Sequence, residues 1–418
     1  MSDMQNRTIP ERHVIALKLL LCAIAFGMTG AARAEPPQWV ASWAAPHAPP
    51  LLAAPSFWPA APLTPDLHDQ TVVQIVRLSA GGKRLRIRFS NEFGAEPLQI
   101  GQVRVVRLAA DGKTVAGEAH PVTFSGSAQG LIPTHAPLVS DPVDLATGPL
   151  SKIRISLYLP GANGPGTAHF QAIATAQISP PGDFTDRPFA PAATVPMRLF
   201  LTEVDVEPET RRPETRGPVI AAMGDSITDG VGSTLDADHR WPDILAERLQ
   251  PMHAAVIDTG IGGNNVLKDA SLAPFGWSAL ARFDRDVLSA PGVTHLIALE
   301  GINDIGNRPA PTPEALIAGY RQMITRAHAR GLKVVLCTLT PVKGSWYFNP
   351  ETEAERQTIN RWILNQRESD GAVDFDAAIR DPADPARIRP EMQSGDWLHP
   401  NDLGYRTMAE AIDLKLFQ

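Results

Sequence analysis

Four short segments of this 418-residue chain carry side chains suited to nucleophilic catalysis. Ser226 stands in Gly224-Asp225-Ser226-Ile227-Thr228-Asp229-Gly230, a glycine-flanked turn ahead of a helix, where a hydroxyl can be exposed for attack. A serine hydroxyl is a poor nucleophile near neutral pH. It needs a base to take its proton, and the base needs an orienting carboxylate. Asp396 and His399 lie three residues apart in Asp396-Trp397-Leu398-His399-Pro400, so one turn could present both. Glycines in Thr259-Gly260-Ile261-Gly262-Gly263-Asn264-Asn265 let the backbone approach a substrate and aim bare N–H groups at it. Asn303, in Gly301-Ile302-Asn303-Asp304, could donate a side-chain N–H to a developing oxyanion. Taken singly, each segment has a plainer reading: a turn that opens a helix, a flexible glycine turn, an Asn/Asp turn, a surface histidine.

Other chemistries find less support. The G-x-S-x-G elbow is absent around Ser226. The spacing at 260–265 does not fit the G-x-G-x-x-G dinucleotide fingerprint. No H-E-x-x-H or paired-cysteine pattern occurs, so neither a metal nor another cofactor is expected. His295 and His328 fall in a strand and a helix and read as structural.

The elements needed to position these segments follow from periodicity. From about Trp39 to Val206 the chain reads as all-β, with runs at Thr71–Ser79, Arg84–Ser90, Val103–Leu108 and Lys152–Leu159. Arg84–Phe89 alternates charge and apolar residue strictly, the pattern of a strand with one wet face. Ala80-Gly81-Gly82-Lys83 suits a hairpin between the first two runs. A β-sandwich or jelly roll is expected for residues 35–206. Asp205–Pro218, with three prolines and alternating charge clusters, reads as an exposed stretch, and the linker is placed at 207–217.

Beyond it strand, turn and helix alternate, which implies a parallel sheet covered on both faces over residues 218–418. Strands are expected at Pro218–Met223, Ala255–Ile257, Thr294–Leu299, Lys333–Leu339 and Ala372–Phe375. Helices are expected at Trp241–Leu249, Trp277–Leu288, Pro313–Arg330, Glu351–Arg367 and Asn401–Leu416. Ala281–Asp286, dense in charge, is read as a solvated, self-paired helix face. Each of the four segments follows a strand or opens a helix. The fold would therefore gather them at the carboxyl edge of the sheet, where such sheets bind ligands.

Composition sets outer limits. At 44% hydrophobic and 20% charged residues the chain is neither disordered nor of low complexity, and 39 prolines with 32 glycines point to a loop-rich fold. A net charge of -7 argues against a nucleic-acid partner. Arg7, Arg12 and Lys18, the apolar run Leu19–Met28 and Ala32-Arg33-Ala34 follow the order of a secretory signal cleaved after Ala34. The apolar run is short of the roughly 20 residues a spanning helix needs, so a secreted or periplasmic protein without a stable membrane anchor is expected. Cleavage removes Cys22 and leaves Cys337 alone, read as a buried small hydrophobe.

Taken together, GDSIT at 224–228, GIGGN at 260–264, GIND at 301–304 and DWLHP at 396–400 resemble the ordered blocks of the SGNH hydrolases, the GDSL esterase/lipase superfamily. The resemblance implies a three-layer α/β/α, flavodoxin-like domain with a five-stranded parallel sheet. It implies Ser226 as nucleophile, His399 as general base and Asp396 as its orienting partner. The oxyanion hole would be formed by the Ser226 N–H, the Gly263 N–H (with Gly262 an alternative one residue away) and the Asn303 side chain. Trp39–Trp43, Ser79–Gly82 and Ser90–Gly94 resemble a subgroup of the family that carries an N-terminal β-sandwich.

The expected activity is a serine esterase acting on small acyl esters, acetyl groups on carbohydrate among them. Alternatives are a lysophospholipase or thioesterase with a long acyl channel, and a glycan-binding protein with a vestigial hydrolase domain. Trp346 and Tyr347, in Lys343–Phe348 after the fourth strand, could stack a sugar ring, line an acyl pocket or simply pack the loop. Trp397 is expected to pack behind the site and fix its loop. The expected partner is a small-molecule or polysaccharide ester.

Overall fold

A strand in which every second side chain is charged must face a partner that answers those charges. In the computed structural model, which describes residues 38–56, 58–209 and 217–418, the run Arg84–Ser90 is such a strand. Leu85, Ile87 and Phe89 are fully buried on one face, while Arg84, Arg86 and Arg88 face Glu207, Asp205 and Glu203 of the neighbouring strand. The expected signal at 1–34 lies outside the described residues, as do 210–216 of the expected linker.

The strand-rich region holds several antiparallel sheets. One has the order β1 (Val40–Ala44), β14 (Leu201–Glu207), β3 (Arg84–Ser90), β8 (Pro137–Val139). A six-stranded sheet runs β12 (Ala193–Val195), β11 (Ala176–Pro181), β2 (Leu67–Arg77), β9 (Lys152–Gly164), β5 (Gln102–Arg107), β6 (His120–Val122). Two short pairs, β4 (Leu98–Ile100) with β7 (Gly130–Ile132) and β10 (Ala168–Phe170) with β13 (Met197–Leu199), complete it. Leu85, Ile87 and Val204 from the first sheet and Val72, Ile155 and Leu157 from the second share one core.

The expected hairpin at 80–83 is not formed. β2 and β3 belong to different sheets, so Ala80–Lys83 is a crossing between layers. Its glycines serve close approach instead: a Cβ at Gly81 would sit 2.4 Å from the Thr147 carbonyl oxygen, and one at Gly82 2.5 Å from that of Glu207.

The second region is a parallel sheet in the order β16 (Ala255–Gly260), β15 (Val219–Gly224), β17 (His295–Leu299), β18 (Lys333–Cys337), β19 (Gly371–Val373). Helix Trp241–Arg248 packs on Asp402–Glu410, and Pro313–His328 packs on both Pro350–Asn365 and Ala279–Phe283, giving the α/β/α layering. The chain leaves β15 for β16 on one side and then returns to β17 on the other. The sheet therefore reverses direction of growth at the end of β15, where a crevice opens.

The closing helix is shorter than the sequence suggests, ending at Glu410 before a separate turn at Leu414–Phe417. A small hairpin, β20 (Arg380–Asp381) with β21 (Asp384–Ile388), gave no clear periodic signal in so few residues. Cys337 is buried in β18, and burial pushes its thiol well up from the ordinary value. Among the described residues no helix is long and apolar enough to cross a membrane.

The two regions share their cores. Ala41 and Ala44 of β1 pack in the parallel-sheet core, and Val219 and Ala255, the first residues of β15 and β16, pack in the strand-rich core.

Candidate active site

β15 ends on Gly224, and nothing larger fits. A Cβ there would lie 2.1 Å from Thr228 Oγ1 and 2.3 Å from the Leu299 carbonyl oxygen. The chain then turns into the short helix Ser226–Asp229, whose N-cap is Asp225: its Oδ1 accepts the Ile227 N–H at 2.9 Å. Ser226 is the first helical residue, 8% exposed, with Oγ 2.8 Å from His399 Nε2.

The His399 loop is organised by Asp396. One carboxylate oxygen accepts the backbone N–H groups of Leu398 and His399, both at 2.9 Å, and the other lies 2.6 Å from His399 Nδ1. Burial opposes ionisation of Asp396. The His399 ring and the two backbone donors outweigh it and hold the carboxyl well below its ordinary value. An ionised Asp396 accepts the Nδ1–H, which leaves Nε2 free to accept from Ser226 Oγ. Trp397, at φ +60°, lies between them with its ring against Gly344 and the Arg387 guanidinium 3.9 Å from its centroid. It braces the loop from behind.

Opposite Ser226, the loop after β16 is pinned from three sides. Asn264 Nδ2 donates to the carbonyls of Phe275 and Trp277 at 2.8 and 2.7 Å, and its Oδ1 accepts from Arg282 Nε at 2.9 Å. Asp304 accepts the N–H groups of Val266 and Leu267 at 2.8 and 3.1 Å. The Gly262 N–H is directed at Asp229 Oδ2, 3.3 Å away, whereas the N–H groups of Gly263 and Ser226 have no hydrogen-bond partner among the described residues. Gly263 has φ +74°, and a Cβ there would collide with the Phe275 ring at 2.3 Å. Asn303 is buried at the start of helix Ile302–Gly306; its Nδ2 donates to the Asn264 carbonyl at 2.8 Å, and its Oδ1 accepts from the Tyr347 hydroxyl at 2.8 Å.

Arg282 corrects the reading of 281–286 as a solvated face. Its side chain is fully buried and donates to the carbonyls of Thr259 (2.7 Å) and Gly224 (3.0 Å), tying together the ends of β16 and β15. Phe283 is equally buried, and the segment turns from an α-helix into a π turn at Asp284–Leu288. The expected self-pairing is present, Asp286 lying 3.1 Å from Arg282 Nη1 and 2.6 Å from Arg285 Nε, but the charge density concealed a core arginine that also bonds backbone.

Beneath the crevice lies a cluster of buried acids. Burial, with Asp304 nearby, pushes Asp225 up to about 7, and burial raises Asp304 to about 6. Glu300 is fully buried, and among the described residues neither carboxylate oxygen has a hydrogen bond and the closest cation, Arg282, is 3.6 Å away. Burial, aided by Asp225, holds it protonated well above the usual range.

Ser226, His399, Gly263 and Asn303 line one cleft of about 800 Å³, together with Trp346 and Tyr347. The size suits a small-molecule ligand. Trp346 is 66% exposed, its ring 6.4 Å from that of His399; Tyr347 is 9% exposed. Sequence reasoning missed several lining residues. Lys268, Phe275 and Arg308 come from loops of the sheet region, and Trp58 and Gln171 come from the strand-rich region. Trp58 meets Phe170 edge to face at 5.6 Å, and Phe170 approaches Phe275 at 6.3 Å. The strand-rich region also reaches beneath the site. Buried His169 donates from one ring nitrogen to the Pro46 carbonyl (2.6 Å) and sets the other 2.9 Å from Asp229 Oδ1, the residue whose second oxygen faces the Gly262 N–H. Burial opposes the charge on His169, but Asp229 more than offsets it and raises the ring's pKa.

The model of the GDSL-like Lipase/Acylhydrolase family matches residues 222–407. No curated protein is similar enough to count as a match. Similar solved structures include a GDSL-like lipase from Bacteroides thetaiotaomicron, at 18% identity over 49% of this chain and 89% of that one, with a TM-score of 0.36. An aryl esterase from M. smegmatis aligns at 17% identity over 46% of this chain and 95% of its own, with a TM-score of 0.39. A carbohydrate acetylesterase family member from Sinorhizobium meliloti aligns at 16% identity over 46% and 94%, with a TM-score of 0.40.

Proposed function

We propose that this chain, whose residues 222–407 match the GDSL-like lipase/acylhydrolase family and which is a carboxylic ester hydrolase, cleaves small acyl esters, acetyl groups on carbohydrate in particular, through a Ser226–His399–Asp396 relay. The observation that carries the reading is the continuous line of hydrogen-bonding distances from Ser226 Oγ to His399 (2.8 Å) and from His399 to Asp396 (2.6 Å), with Ser226 and His399 lining the cleft.

His399 Nε2 takes the Ser226 proton as Oγ attacks the ester carbonyl. The oxygen that becomes negative is met by the N–H groups of Ser226 and Gly263 and by the remaining N–H of Asn303. The imidazolium, stabilised by ionised Asp396, returns its proton to the departing alcohol. Water, activated by the same ring, then releases the acid from the acyl-enzyme.

The carbohydrate assignment rests on the cleft's mixture of aromatic faces (Trp58, Trp346) and hydrogen-bonding groups (Gln171, Lys268, Asn307, Arg308), a lining suited to sugar rings and their hydroxyls. A panel of acetylated glycans and lysolipids, read by mass spectrometry for loss of an acyl group, tests it. Release of acetate from a glycan is expected. Preference for acyl chains of eight carbons or more would sink the acetyl assignment. Export with cleavage after Ala34 is part of the same proposal, and N-terminal sequencing of the mature protein tests it.

A further inference from the structure

An asparagine serves as an oxyanion donor only if its amide is held the right way round, because oxygen and nitrogen exchange places on a simple flip. Asn303 is fixed at both ends. One N–H is committed to the Asn264 carbonyl at 2.8 Å, and the amide oxygen accepts from the Tyr347 hydroxyl at 2.8 Å. A flip would set the amide oxygen against the Asn264 carbonyl oxygen, which only accepts, and would turn the Tyr347 hydroxyl from donor to acceptor. With both bonds made, the second N–H is left for the cleft that Asn303 lines.

Tyr347 is itself placed for this bond. Its ring lies over Gly306, where a Cβ would come within 2.5 Å of it, so the short helix carrying Asn303 is shaped to admit the ring. Its loop is closed by Ser345, whose hydroxyl donates to the Val342 carbonyl at 2.7 Å and accepts the Tyr347 N–H at 3.3 Å. Burial pushes the phenol up from its ordinary value, which keeps it a donor.

We propose that Tyr347 is a positioning residue of the ester-hydrolase site, its hydroxyl locking the Asn303 amide so that one N–H faces the developing oxyanion. The inference rests on the oxyanion role proposed for Asn303. It assigns the buried half of the Trp346-Tyr347 pair to the transition state and leaves exposed Trp346 to the substrate.

A double-mutant cycle on p-nitrophenyl acetate tests it, with kcat and KM measured for wild type, Y347F, N303A and the double variant. N303A is expected to lower kcat by about 10²–10³-fold. Y347F is expected to lower kcat about tenfold with KM within twofold, and to cost nothing further when N303A is already present. If N303A leaves kcat unchanged, the oxyanion reading of Asn303 falls and the Tyr347 role falls with it. If N303A behaves as expected but Y347F acts equally in both backgrounds, or raises KM alone, only the Tyr347 role is overturned. Should Y347F not fold, 3-fluorotyrosine at position 347 keeps the ring while making the phenol more acidic. Its kcat should then fall on the alkaline side at lower pH than wild type, with KM held, and superimposable profiles would overturn the proposal.

Discussion

The strand-rich region and the parallel-sheet region bury comparable apolar cores, yet they relate to the cleft differently. In the parallel sheet four polar groups of the site follow strand ends, Ser226 after β15, Gly263 after β16, Asn303 after β17 and Tyr347 in the loop beyond β18, while Asp396 and His399 come from the loop before helix Asp402–Glu410. A parallel sheet aims all its carboxyl ends one way, so consecutive loops converge without long excursions. An antiparallel region sends alternate strands in opposite directions and gathers no such set. What it supplies is reach: Trp58 and Gln171 on the cleft wall, and His169 below it. The difference teaches that chemistry is a property of sheet topology here, while shape and support are added from outside.

The sharpest way to break that division is Ser226→Ala, expected to cut ester hydrolysis by about 10⁴–10⁶-fold with an unchanged melting temperature. Undiminished turnover in purified protein would reject the relay. Next in size, His169→Ala crosses the boundary. It leaves Asp229 buried without its partner, at a cost of about 3–5 kcal/mol in stability. By loosening the support of the Gly262–Gly263 turn it should also lower kcat by up to about 10²-fold. Wild-type kcat in a destabilised His169 variant would show that the strand-rich region stabilises without shaping the site.

Smaller still, Trp58→Ala should raise KM for an acetylated glycan about twofold to tenfold, the worth of one aromatic contact. It should leave p-nitrophenyl acetate unaffected; equal losses on both substrates would remove the distinction between wall and chemistry. The smallest effect concerns Glu300. Its raised native pKa means the folded state keeps a proton that the unfolded state releases above the ordinary carboxylate range. Stability therefore falls as pH rises from that range through the native value. Glu300→Gln should flatten this decline, read from urea midpoints at pH 5 and pH 8, and an unaltered slope would assign the pH dependence elsewhere.

How far the sequence alone reached follows the same division. The ends of β15, β16 and β17 were legible because a glycine closes or closely follows each apolar run (Gly224, Gly260, Gly301), a pairing that local sterics enforce at Gly224. The Asp396–His399 spacing was legible because a single turn closes it. Tyr347 could be placed on the active edge but its partner could not, since the bond to Asn303 spans 44 residues and no periodicity encodes it. Trp58, Gln171 and His169 were invisible for a stronger version of that reason: they depend on how one region docks on the other. Arg282 was misread because a charged side chain that satisfies itself on buried carbonyls looks, in one dimension, like any other surface charge. The 80–83 turn was misread because a glycine pair signals a tight bend but not which sheet the next strand joins.

The exchange of core residues between the regions bears on how this molecule can be taken apart. Ala41 and Ala44 are interior to the catalytic layer although they lie far upstream of it, and Val219 and Ala255 are interior to the other. The Ala41 N–H also donates to the Pro291 carbonyl at 2.9 Å. A cut near residue 217 would open a groove along β16 and strip two alanines from the seam. A cartridge intended to transplant this esterase must therefore begin before Val40, and one that starts at the sheet should emerge as an aggregating fragment rather than a smaller enzyme.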